Sequence, residues 1–70
     1  MIIDSSLKKD PFISDSVVGW GVIRFSPWDL FGVFSSYEQA QEFASILGED
    51  YEVIWGTHRL GTSEFLCGFE

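Results

Sequence analysis

Basic residues are scarce in this chain: Lys8, Lys9, Arg24 and Arg59 stand against eleven acids, a formal net charge of −7. Such a field repels phosphate backbones and anionic lipid, so direct nucleic-acid and membrane-surface binding are both disfavoured. Cysteine occurs once, at Cys67, which excludes an internal disulfide. Histidine also occurs once, at His58. One His and one Cys cannot complete a four-ligand zinc site, and neither a calcium loop nor a glycine-rich phosphate loop is present. No cofactor or metal is expected. No segment approaches the ~18 apolar residues of a membrane helix. The first residues also lack the basic-then-apolar pattern of a secretory leader. A cytoplasmic protein is the expectation.

An enzyme built on this chain would have to pair Cys67 with His58. Arg59 beside the imidazole disfavours its charged form. Alternation puts Cys67 on one strand face with Phe65 and Phe69, where a thiol behaves as a small buried hydrophobe. No catalytic residue is assigned, and the chain reads as a binding protein.

What the chain does have is apolar and aromatic mass. Of its 70 residues 46% are hydrophobic and 17% aromatic, far from the composition of a disordered segment. That supports one small packed domain, near the lower size limit for folding without staples. Residues 1–16 show no sustained period and read as an irregular N-terminal arm. Ile2, Ile3, Leu7, Phe12 and Ile13 are its expected plugs onto the domain, which spans residues 17–70.

Val17–Phe25 is rich in β-branched and aromatic residues and reads as a first strand. Ser26-Pro27-Trp28-Asp29 supplies turn chemistry, and Leu30–Phe34 returns as a second strand. Ser35 and Ser36 each precede a capping partner by three residues, Glu38 and Gln39 respectively. Tyr37, Ala40, Phe43, Ala44 and Leu47 then recur at helical spacing, and Gly48 ends the helix. Tyr51–Trp55 is a third strand, Gly56–Thr62 a hairpin loop, and Ser63–Phe69 a fourth strand. The order β-β-α-β-β predicts an α+β fold. Its antiparallel or mixed four-stranded sheet, ordered 2-1-3-4, carries the helix on one face. Gly19, Gly21 and Gly32 are expected to make room for rings lying across the sheet.

One short helix covers one sheet face only. Leu30 and Phe34 are set against Phe31 and Val33 by strand alternation, so apolar residues occur on both faces. The second face needs a cover, from the arm or from a partner. Residues 30–56, with Phe34-Ser35-Ser36, the helix bearing Ala40 and Ala44, and Tyr51-Glu52-Val53, resemble one half of a sporulation-related repeat domain. That family binds cell-wall glycan through two such halves, and its second helix has no counterpart here.

Acidic charge and aromatic surface together point to a small acidic module that binds another protein with a basic surface. An inhibitor or regulator of a nucleic-acid-handling protein, of the phage-encoded or nucleic-acid-mimic type, fits this description. The expected contacts are Trp28, Glu38, Glu42, Glu49, Asp50 and Glu52. Steering by charge would precede burial of the tryptophan. The alternative is a structural homodimer or assembly subunit that uses the uncovered sheet face.

Overall fold

A computed structural model of the chain describes residues 1–67. The strands are β1 (Ile2–Ile3), β2 (Lys8–Lys9), β3 (Ser16–Phe25), β4 (Trp28–Phe34), β5 (Glu52–Arg59) and β6 (Phe65–Cys67), and helix α1 is Tyr37–Leu47. The class is α+β, with one helix and a mixed sheet. The expected four strands become six, in the order β1-β4-β3-β5-β6, with β2 also paired to β3. Phe69, expected on the last strand, lies outside the described residues.

The two added strands come from the arm. β1 runs parallel to β4, with Ile2 opposite Gly32, while β2 lies antiparallel to β3, with Lys8 opposite Val18. β4 leaves β3 at the Trp20–Phe34 pair, so β2 takes up its line where the chain turns into the helix. Asp4 fixes this crossing. Its carboxylate accepts from Ser6 N and Oγ at 2.9 and 2.7 Å, and from Ser35 N and Oγ at 3.1 and 2.6 Å.

Two apolar clusters fill the two sheet faces. On the helix side Val22, Phe34, Ala40 and Ala44 are buried, with Trp20, Phe31, Phe43, Tyr51 and Val53 packed against them. On the other side Ile23, Leu30, Val33 and Phe65 are buried, flanked by Ile3, Leu7 and Ile54. The second face is therefore covered from within the chain, by the arm and by Phe65.

Strand alternation misassigns β4. The pairing shifts between Val22–Gly32 and Ile23–Leu30, which leaves Phe31 as the extra residue of a β-bulge. Beyond the bulge the faces exchange, so Phe31 and Phe34 both meet the helix while Leu30 and Val33 both meet the opposite cluster. The bulge gives Phe43 two aromatic neighbours. Its ring stacks on Phe34 at 5.0 Å and 12°, and tilts against Phe31 at 5.4 Å.

The helix starts at Ser36, whose side chain accepts from Gln39 N at 3.3 Å, and ends at Gly48 with φ +116°. Of the two serines only Ser36 caps. Ser35 is held by Asp4 instead.

The expected loop Gly56–Thr62 is shorter, because β5 continues through Gly56, Thr57, His58 and Arg59. Gly56 is not turn punctuation. A Cβ there would strike the Leu66 carbonyl oxygen and stand 2.7 Å from the Phe65 ring. The glycine marks where β6 and its phenylalanine cross closely.

Candidate functional site

Eight of the eleven acids fall into two groups. Asp4, Asp10 and Asp29 are engaged by the fold: Asp10 accepts from Phe12 N, Ile13 N and Thr57 Oγ1, and Asp29 from the Tyr51 hydroxyl at 2.6 Å. These hydrogen bonds hold the Asp4 and Asp10 carboxyls below the usual carboxylate range, led by the Ser35 hydroxyl and the Phe12 amide respectively. The Asp29 carboxylate, as hydrogen-bond partner, pushes the Tyr51 phenol up. Arg24 sits 5.2 Å from the centre of the Tyr51 ring, and its Nε donates to the Pro27 carbonyl.

The second group is exposed: Glu38, Glu42, Glu49, Asp50 and Glu52. Glu38 and Glu42 lie one turn apart on α1. Glu49 and Asp50 follow the helix C-terminus directly, and Glu52 opens β5 opposite Ile23. Glu49, Asp50 and Glu52 thus gather where the helix ends and the β3–β4 hairpin turns, while Glu42 stands at the middle of α1. Glu38 stands at the other end of the helix. A cleft of about 260 Å³ opens beside them, lined by Gln41, Ser45, Glu49 and Tyr51.

Trp28 is not in a turn but at the first position of β4, and is 42% exposed. Its indole N–H donates to the Ser63 carbonyl at 2.9 Å, and its ring stands edge-on to Phe25 at 6.0 Å. The tryptophan thus tethers the β5–β6 loop while keeping one side open.

Sequence reasoning passed over a second aromatic surface. Trp20 meets Tyr37 at 5.0 Å and Trp55 at 5.1 Å, both edge to face. Tyr37 is 49% and Trp55 42% exposed. Tyr37, the first residue of the helix, meets Trp20, which packs against the helix-side cluster, while Tyr37 and Trp55 keep part of their rings open. Beside Trp55 is a groove of about 200 Å³ lined by Leu7, Lys8, Val18 and Ser35. Alternation places Trp20 and Trp55 on one face, but only the β3–β5 register makes them neighbours.

His58 and Cys67 are both placed differently from expectation. His58 is 1% exposed, inside β5, with Nδ1 2.9 Å from the Glu64 carbonyl oxygen. A carbonyl only accepts, so Nδ1 carries the proton. Cys67 is exposed, not buried beside Phe65. Its β5 neighbour is Gly56, while His58 faces Phe65.

Among the described residues no group of three or more His, Cys, Asp or Glu stands close enough to hold a metal. No helix among them is long and apolar enough to cross a membrane. No protein-family model matches the chain, and no curated protein or solved structure resembles it at a significant level. The likeness of residues 30–56 to half of a sporulation-related repeat accordingly gains no support from a family match.

Proposed function

We propose that this chain is a small acidic binding module that docks on a basic protein surface and regulates a nucleic-acid-handling partner. The observation that carries this reading is the placement of Glu49 and Asp50. Negative charge at a helix C-terminus opposes the macrodipole, at about 0.3–1 kcal/mol per charge, and the last turn of α1 holds no basic residue. Glu38 and Glu42, at i and i+4, repel each other by a few tenths of a kcal/mol. Stability alone would not favour this arrangement. It suits a surface that exposes carboxylates to a cationic groove, and the cleft at Tyr51 offers room for a lysine or arginine side chain. Trp28 adds an aromatic edge at the same end of the sheet.

The test compares wild type with a Glu42→Lys/Glu49→Lys/Asp50→Lys variant, each immobilised in host lysate and washed at low and high salt. The reading expects a basic nucleic-acid-handling protein on wild type, released by high salt and absent from the correctly folded variant. Equal capture by both proteins would overturn it.

The homodimer reading draws support from the Trp20–Tyr37–Trp55 cluster, since an edge-to-face trio with two half-exposed rings suits an interface core. Its check is the oligomeric state of a Trp55→Ala variant.

A further inference from the structure

The N-terminal arm is fastened more lightly than the rest of the sheet. Its strands β1 and β2 are two residues each, and Met1, Ile2, Lys8 and Lys9 are exposed. Only Ile3 and Leu7 turn inward, and both stay half-buried at the margin of the Ile23, Leu30, Val33 and Phe65 cluster. Leu7 rests on Gly19, its Cδ2 2.6 Å from where a Cβ would stand. The polar fastening is concentrated on Asp4. Its N–H donates to the Val33 carbonyl at 3.0 Å, and its carboxylate takes both donors of Ser35, the residue before the helix N-cap. The seam between arm and domain is not closed. A groove of about 200 Å³ runs along it, with Ser6, Leu7 and Lys8 on one side and Val18, Ser35 and Trp55 on the other.

Asp10 ends this loose region. Its N–H donates to the Ser16 carbonyl at 2.9 Å, and its carboxylate accepts from Thr57 Oγ1 of β5 at 2.8 Å and from Phe12 N at 2.7 Å. Phe12, expected as a plug, lies beyond this anchor and is 93% exposed. The cluster flanked by Ile3 and Leu7 also has a cover of its own, because Phe65 enters it from the opposite edge of the sheet. We infer that residues 1–9 form a strap, which lifts as one unit about Asp10 while β3, β4, β5 and β6 stay folded. Lifting uncovers Gly19 and frees the edge of β4 at Gly32 and Val33, which β1 occupies in the closed chain. The strap thereby governs access to the second sheet face. Lightly fastened segments of this kind open at a free energy below that of global unfolding. Asp4 is the latch, since hydrogen bonds to an ionised carboxylate are stronger than neutral ones. The strap contains none of the acidic-face residues, so its failure leaves the proposed function untouched.

Trypsin supplies the test, because its sites divide between the strap, at Lys8 and Lys9, and the long strands, at Arg24 and Arg59. Where reclosing is fast, cutting of the native chain reports the population of the open form. Expected is cutting after Lys8 or Lys9 at least about tenfold faster than after Arg24 or Arg59. The strap rate should hardly change in urea below the unfolding transition, since lifting exposes little surface. The two strand rates should climb steeply. Asp4→Asn should raise the strap rate about tenfold, and Leu7→Ala should also raise it, both with the same flat urea dependence. Cutting of all four sites in step, with one shared urea slope, overturns the inference, because the arm then leaves only with the whole domain. So does a strap rate that both substitutions leave unchanged, since Lys8 and Lys9 are then cut without lifting.

Discussion

The Phe65 ring rests on the bare backbone of Gly21, 2.6 Å from where a Cβ would stand. The two residues belong to strands separated by β5, which itself presents Gly56 to the same ring. A phenylalanine from the sheet edge thereby reaches the cluster of Ile23, Leu30 and Val33. It does there what a second helix would do in a larger domain.

Gly21→Ala should therefore displace the ring and cost about 1–3 kcal/mol, the usual range for overpacking. Phe65→Ala should cost about 3–5 kcal/mol through lost burial and an unfilled space. In the double variant the glycine substitution should cost much less, because its clash partner is gone. Urea unfolding of the four proteins measures this, and strictly additive losses would contradict the contact.

Asp4 makes the arm's attachment sensitive to acid. Its carboxyl is depressed in the folded state, so over the window below the unfolded value of about 3.9 the unfolded chain binds more protons. The contribution is complete above that value and fades as pH falls toward the lower folded pKa. Wild type should be more stable than Asp4→Asn at pH 7, and the difference should shrink continuously below about pH 4. Thermal melts of both proteins across that range check the sign.

The neighbouring serines should separate cleanly. Ser36→Ala removes the helix cap and should cost about 1 kcal/mol, adding independently to the effect of Asp4→Asn. Ser35→Ala removes half of the clamp, and its effect should largely vanish once Asp4 is already asparagine. A double-mutant cycle in denaturant reads the difference.

His58→Ala should destabilise by about 2–4 kcal/mol, because it empties a buried site and leaves the Glu64 carbonyl without its donor. Cys67, being exposed, should react with a thiol reagent in the native protein. Labelling by itself thus says nothing about activation; its rate does. A rate matching an unstructured cysteine peptide, and unchanged in a folded His58→Gln variant, is the expected outcome.

Much of the helix was legible in the residues. Ser36, the stripe through Ala40 and Ala44, and Gly48 are separated by three or four positions, and the forces that place them act within a turn. Trp28 and the five carboxylates were likewise recognisable as surface from their polarity or their proline neighbour. Strand composition also marked where β3, β4, β5 and β6 run.

Other features depend on contacts between distant segments. The bulge at Phe31 arises from pairing with β3, and it exchanges the faces of Phe34 and Val33 against the period of two. Gly56 resembles a turn residue until Phe65 and Leu66 are seen crossing it. Trp55 became a neighbour of Trp20 only when the β3–β5 register was set. Phe12 reads as a plug by hydropathy, yet Asp10, held by Thr57 forty-seven positions away, turns it outward. Hydropathy and local spacing decided which residues form elements here; long-range pairing and glycine-sized gaps decided which faces those residues share.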